Sequence, residues 1–214
     1  MSGIFVDSIK DASNTKTLAT LSSSAVSLSS DVTVPASIGG SLVYLESTSG
    51  TDVASIAFEN KFTSTDYIQY VIEFYFKPVT DDKHIVAQLG IGGGSTNYIT
   101  SNYRTVITES YYGSSNNIHH RVEDTFAVLT TGVGNAGSDG GVVGTFYLIQ
   151  PYVTGRKKLF RYNAQKWEQN DHMVNQTAGT TWTGGTDAIT AIKFYAHASS
   201  NITGEMRMYG LKAS

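Results

Sequence analysis

The residues with the most chemistry in the chain are His119-His120, followed closely by Glu123-Asp124. Imidazole and carboxylate are the donors that zinc and calcium take. Neighbouring residues of a strand point to opposite faces, so a strand cannot aim both histidines at one ion. A loop can, with donors from elsewhere, but a solvated loop is the plainer reading. In a trimer, one histidine per chain would also meet its copies at the axis. His84, His172 and His197 stand apart. Paired carboxylates would suit glycoside hydrolysis, which needs two of them roughly 5–10 Å apart. Glu59, Asp66, Glu73, Glu109, Glu123, Asp124 and Asp187 all qualify by type, and spacing singles out none. No Gly-x-Ser-x-Gly elbow is present. The run Gly90-Ile91-Gly92-Gly93-Gly94-Ser95 lacks the Lys-Ser/Thr pair of a phosphate loop and the βαβ setting of a dinucleotide fold, so it reads as a turn. No catalytic, cofactor or metal residue is assigned, and the chain reads as a non-enzyme.

Aromatic side chains offer a different chemistry. Tyr111-Tyr112, Trp167 and Trp182 lie in or beside polar, Gly- or Asn-rich stretches. Exposed Tyr and Trp stack on sugars and are favoured at protein interfaces. With His119 and His120 they are the candidate contacts to a partner or receptor. The simpler reading of the tryptophans is that they plug the ends of a β-sandwich.

These side chains need elements to hold them, and the clearest element is Ser55–Pro78. Ile68, Tyr70, Ile72, Phe74 and Phe76 share one face at period two, while Tyr67, Gln69, Val71, Glu73 and Tyr75 share the other. That is a strand with one buried face. Pro78 donates no ladder hydrogen bond and ends it. Val53–Phe58 reads as the strand before, with Asn60–Asp66 as the turn. Leu42–Leu45, His84–Ile91, Tyr98–Glu109, Phe126–Leu129, Val143–Ile149, the shorter Leu159–Tyr162, Ile189–Ala196 and Glu205–Leu211 follow the same logic. In the last, Met206 and Met208 face one way and Glu205, Arg207 and Tyr209 the other. Gly92–Thr96, Tyr111–Asn117 and Gly132–Gly141 read as loops. Trp167–Trp182 is the least legible stretch, and Phe160–Val174 is the best helical candidate, a mediocre one. Nine or ten short strands with Gly, Ser and Asn turns predict an all-β, two-sheet antiparallel sandwich of jelly-roll type over residues 41–214.

Composition agrees. Charged residues are only 15% of the 214, below the usual ~25%, and 21 glycines and 13 tyrosines help to fill the gap. A net charge of −3 argues against nucleic acid, which calls for a basic patch. Arg156-Lys157-Lys158 is short enough to be a turn. There is no cysteine, hence no disulfide and no thiolate metal site. No apolar run approaches the ~18 residues of a membrane span. The start, MSGIFVDSIKD, lacks the basic and apolar regions of a signal peptide, so a cytoplasmic origin is expected and the sequons at Asn175 and Asn201 carry no weight.

Residues 1–40 differ. Phe5 is their one aromatic, and Ile4–Ile9, Thr17–Leu21, Ala25–Leu28 and Val32–Val34 read as short strands with too little apolar mass for a core. Such a segment must pack on something else and is expected to be an extended docking arm. Pro35 and Gly39-Gly40 read as its hinge.

Two regions carry a family resemblance. SIKDASNTKTLAT…VSLSSDVTVPA resembles the lead-in of structural proteins from tailed bacteriophages, especially marine and cyanobacterial ones, whose usual form is IKDxxGNT, a serine-rich run and LxSDVTFPA. Here Val34 stands where Phe is usual. Ser55–Phe58, Asp66–Tyr70, Phe76–Asp81, Tyr98 and Ser101–Arg104 follow a tail-fibre-like pattern. The closing Ile189–Tyr195, Ser199–Gly204 and Met208–Leu211 resemble the ITGIRFY…SGNI.SG…LYGIK ending of many phage tail and fibre proteins. The resemblance implies a virion structural protein, assembled in the host cytoplasm, often homotrimeric, without cofactor or catalytic residues. In such a protein residues 1–40 are expected to dock on other virion proteins, and a host surface glycan or receptor is the expected outward partner. The resemblance leaves tail fibre, tail attachment and capsid decoration open. A small polysaccharide-degrading tail enzyme and a free carbohydrate-binding module are the competing classes; the latter would lack the arm. Ser110–Asp139 departs from the pattern, which is where a specific contact would be encoded.

Overall fold

In a computed structural model, residues 8–10, 17–21, 26–28, 42–92, 97–112, 117–121, 125–135, 140–168 and 172–212 are described. The chain divides into two compact units, Met1–Gly39 (with Ser214) and Gly40–Ala213. In the first, β1 (Ser8–Lys10), β2 (Thr17–Leu21) and β3 (Val26–Leu28) pair antiparallel into a three-stranded sheet. The strand expected at 32–34 and the hinge at 35–40 lie outside the described residues.

The second unit is a sandwich of two antiparallel sheets. The larger has eight strands, in the spatial order β10 (Asn117–Arg121), β9 (Tyr103–Tyr111), β14 (Met173–Trp182), β13 (Lys158–Trp167), β12 (Val142–Ile149), β6 (Tyr67–Pro78), β16 (Ile202–Lys212) and β4 (Leu42–Val53). The smaller runs β11 (Ala127–Val133), β7 (Lys83–Ile91), β15 (Ile189–Ala196) and β5 (Ile56–Phe58), with β8 (Asn97–Tyr98) paired to β7. The long alternating strand is β6, and it ends at Pro78. Tyr70, Ile72, Phe74 and Phe76 are buried as the alternation predicts, and so are Met206 and Met208 on β16. Ile68 is only half-buried.

The core is aromatic. Phe194 of the smaller sheet meets Phe74, Phe76 and Phe146 of the larger at ring distances of 5.9, 5.4 and 5.7 Å. Full burial of such a side chain contributes roughly 1.5–3 kcal/mol. Two buried tyrosines also link the sheets. Tyr103 Oη accepts from the Leu89 amide at 2.8 Å, and Tyr162 Oη donates to the Val128 carbonyl at 2.7 Å. Each buries a large ring without stranding its hydroxyl.

Several boundaries differ from the sequence reading. Leu42–Leu45 extends to Val53, and Tyr98–Glu109 is two strands, β8 and β9. The helical candidate Phe160–Val174 instead holds most of β13 and the first residues of β14, two strands paired in register from Lys158↔Trp182 to Trp167↔Met173. Their alternation is hidden because Lys158, Lys166, Gln176 and Thr180 point inward. Lys158 is therefore not part of an exposed basic turn. Its ammonium donates to the Val153 carbonyl, and burial followed by the Arg156 charge holds its pKa below the lysine norm.

Candidate binding face

Strand alternation gives the eight-stranded sheet an outer face. Ladder register aligns a row of residues across seven of its strands: Val106, Gly179, Arg161, Tyr147, Val71, Tyr209 and Tyr44. The two ends of this face differ. On β6, β16 and β4 the charges are matched. Arg207 pairs with Glu205 at 3.2 Å and stands in register opposite Glu73, and Tyr44 packs edge-on against Tyr209 at 5.8 Å. A polar pocket of about 140 Å³ remains there, lined by Glu73, Tyr75, Glu205 and Arg207 among others.

On β9, β14 and β13 the charges are unmatched. Gly179 leaves a gap in the row, where an added Cβ would meet nothing within 4 Å. Around it lies a depression of about 540 Å³, walled by Val106, Leu159, Ile149, Thr181, Arg104 and Arg161. Val106, Leu159 and Ile149 are 47%, 63% and 45% exposed, an unusual concentration of aliphatic surface. The Arg161 guanidinium lies over the Tyr147 ring, 4.7 Å from its centroid, so it is held to one side of the depression. Neither Arg104 nor Arg161 has a carboxylate partner among the described residues. The threonine hydroxyls nearby are committed: Thr180 donates to Thr105 at 3.0 Å and Thr181 to the Lys158 carbonyl at 3.1 Å.

The inner side of the same strands holds a buried polar cluster. Glu109 accepts from Tyr111 Oη at 2.7 Å, from Thr131 Oγ1 at 2.8 Å and from Gln176 Nε2. Lys166, with its side chain fully buried, pairs with Glu168 at 2.6 Å and donates to Thr131. Burial pushes the Glu109 pKa up, but hydrogen bonds from Tyr111 and Thr131, the Lys166 charge and the Gln176 bond outweigh it and hold the carboxyl below its usual range. Among the described residues no three metal-ligating side chains converge.

The candidate contacts separate. Tyr111, Tyr112 and Trp167 gather at one end of the β9–β14–β13 segment. Tyr111 pairs with Val174, Trp167 pairs with Met173, and the Tyr112 amide donates to the Met173 carbonyl at 3.1 Å. Tyr112 is 78% exposed, whereas Tyr111 is committed to Glu109. The backbones of His119 and His120 pair with Ile107 and Val106 on β9, and their side chains lie outside what is described. Histidines on a strand rather than a loop cannot converge on one ion. Glu123 and Asp124 lie outside the described residues. Trp182 sits at the far end of β14, nine residues from Met173 or roughly 30 Å along the strand. It is buried against Gly184 and Gly185, and its Nε1 has no hydrogen-bond partner among the described residues. The depression was not visible from sequence. Val106, Arg161 and Gly179 come together only through register between three strands.

No protein-family model matches the chain, and no curated protein matches it significantly.

Proposed function

We propose that the chain is a non-enzymatic binding and structural protein of a tailed-bacteriophage virion, carried on the tail as a fibre or tail-attached protein and used in host attachment. The observation that carries the binding part is the outer face of the eight-stranded sheet, where exposed aliphatics and two arginines with no acid partner among the described residues surround an open depression. The virion part rests on the resemblance of the 8–36 and 189–211 segments to phage tail proteins. In this reading residues 1–40 dock the chain on other virion proteins, and a homotrimer turns weak single contacts into tight attachment by effective concentration.

The test is gold-labelled antibody against the chain, applied to virions of the phage that encodes it. Label at the tail supports the reading. Label spread over the shell makes the chain a capsid decoration protein. Particles that assemble without any label overturn the virion assignment.

A further inference from the structure

We propose that the depression over Gly179 is a docking site for an extended polypeptide segment that presents an apolar side chain and, two residues away, a carboxylate. The inference rests on the outer face being the binding face, but not on where the chain sits in a virion.

Three observations lead there. First, the lining accepts carbon rather than hydroxyls. Its walls are Val106, Leu159 and Ile149, and the hydroxyls of Thr105, Thr180 and Thr181 already have partners. A sugar entering here would leave most of its hydroxyls without protein partners, whereas an aliphatic side chain gains burial. Second, the charge is one-sided. The outward positions of β9, β12, β13 and β14 carry Arg104 and Arg161 and no acid, in a chain whose net charge is −3. The guanidinium fork is matched to a carboxylate, and the stacking of Arg161 on Tyr147 fixes one fork in advance. Third, the depression has room for a ligand. At about 540 Å³ the depression falls within the usual range for ligand pockets, ~300–1,000 Å³. Residues two apart on an extended segment point to the same side, so one such segment offers both groups to this face.

The experiment is an NMR titration of the full ¹⁵N-labelled chain with a blocked pentapeptide carrying leucine and glutamate on either side of a threonine. Expected are shifts at the amides of Gly179, Val106 and Leu159 and at the Nε–H of Arg104 and Arg161. Exchanging the glutamate of the peptide for glutamine weakens binding about tenfold, the scale of one charge-assisted hydrogen bond. Arg104→Gln with Arg161→Gln removes that acid–amide difference. Gly179→Val, whose side chain enters open space on an extended strand, abolishes binding while the spectrum stays dispersed. Equal binding of the two peptides overturns the proposal, as does unchanged binding by Gly179→Val. Hexanoate binding as tightly as the peptide would make the ligand a free acid. An acidic oligogalacturonate binding more tightly at the same amides would make it a sugar acid; either result sinks the polypeptide and leaves the binding face standing. Shifts confined to the smaller sheet would sink both.

Discussion

The two sides of β9, β13 and β14 treat charge in opposite ways. Inside, Glu109 and Lys166 are buried and surrounded by donors and acceptors from Tyr111, Thr131, Gln176 and Glu168. Outside, Arg104 and Arg161 stand over aliphatic surface with no acid partner among the described residues. A buried charge without partners costs several kcal/mol, whereas an exposed one costs little. The inner charges are therefore bound to the stability of the fold. The outer ones are free to serve something else.

The strongest test of this contrast removes one inner charge. Lys166→Met leaves Glu109 and Glu168 without their ammonium and is expected to cost about 3–5 kcal/mol in denaturant unfolding. Arg104→Gln or Arg161→Gln should stay within about 0.5 kcal/mol in the same measurement. An equal loss on both sides would erase the distinction. Acid provides a milder test. Because the folded Glu109 pKa is depressed, its contribution is fully present above the ordinary value of 4.5 and fades as pH falls through the lower folded value. Melting temperature should therefore drop more steeply with acid in the native chain than in Glu109→Gln. Parallel curves would mean that the inner carboxylate is not specially stabilised.

Gly179→Val has a smaller effect, of the other sign. A β-branched residue on an extended, open strand position is expected to raise stability by roughly 0.5–1 kcal/mol, read as a higher melting temperature. A large loss would mean that the depression is shaped by packing rather than left empty. Smallest is Tyr147→Ala. It removes a cation–π contact of roughly 0.5–1 kcal/mol at most, and should be visible mainly as faster averaging of the Arg161 side-chain NMR signals.

The same contrast explains what could be read from sequence. β6 was legible because, past a half-buried Ile68, Tyr70, Ile72, Phe74 and Phe76 all point inward, and β16 because Met206 and Met208 do. The hairpin of β13 and β14 was not. Its inward positions include Lys158, Lys166, Gln176 and Thr180, and its outward ones include Leu159, so the apolar–polar alternation is partly inverted. A buried polar network and an exposed apolar patch blur the pattern in the same way, from opposite sides. Of the candidate contacts, Tyr112 is the most exposed of the described ones, while Trp182 is core and Tyr111 is tied to Glu109. The depression needs the pairing of Val106 with Gly179 across more than seventy positions of the chain, besides that of Gly179 with Arg161, and no local pattern carries that information.

The hydroxyls of Tyr103 and Tyr162 carry a further consequence, one of timing. The Leu89 amide donates to a side chain of the opposite sheet rather than to a neighbouring strand. It cannot exchange its proton by fraying of β7 alone; the sheets themselves must part. The Leu89 amide proton should therefore be among the slowest in the protein to exchange with solvent, reporting the global opening rate. In Tyr103→Phe that clock is lost, and the amide should exchange with the faster rhythm of its own strand.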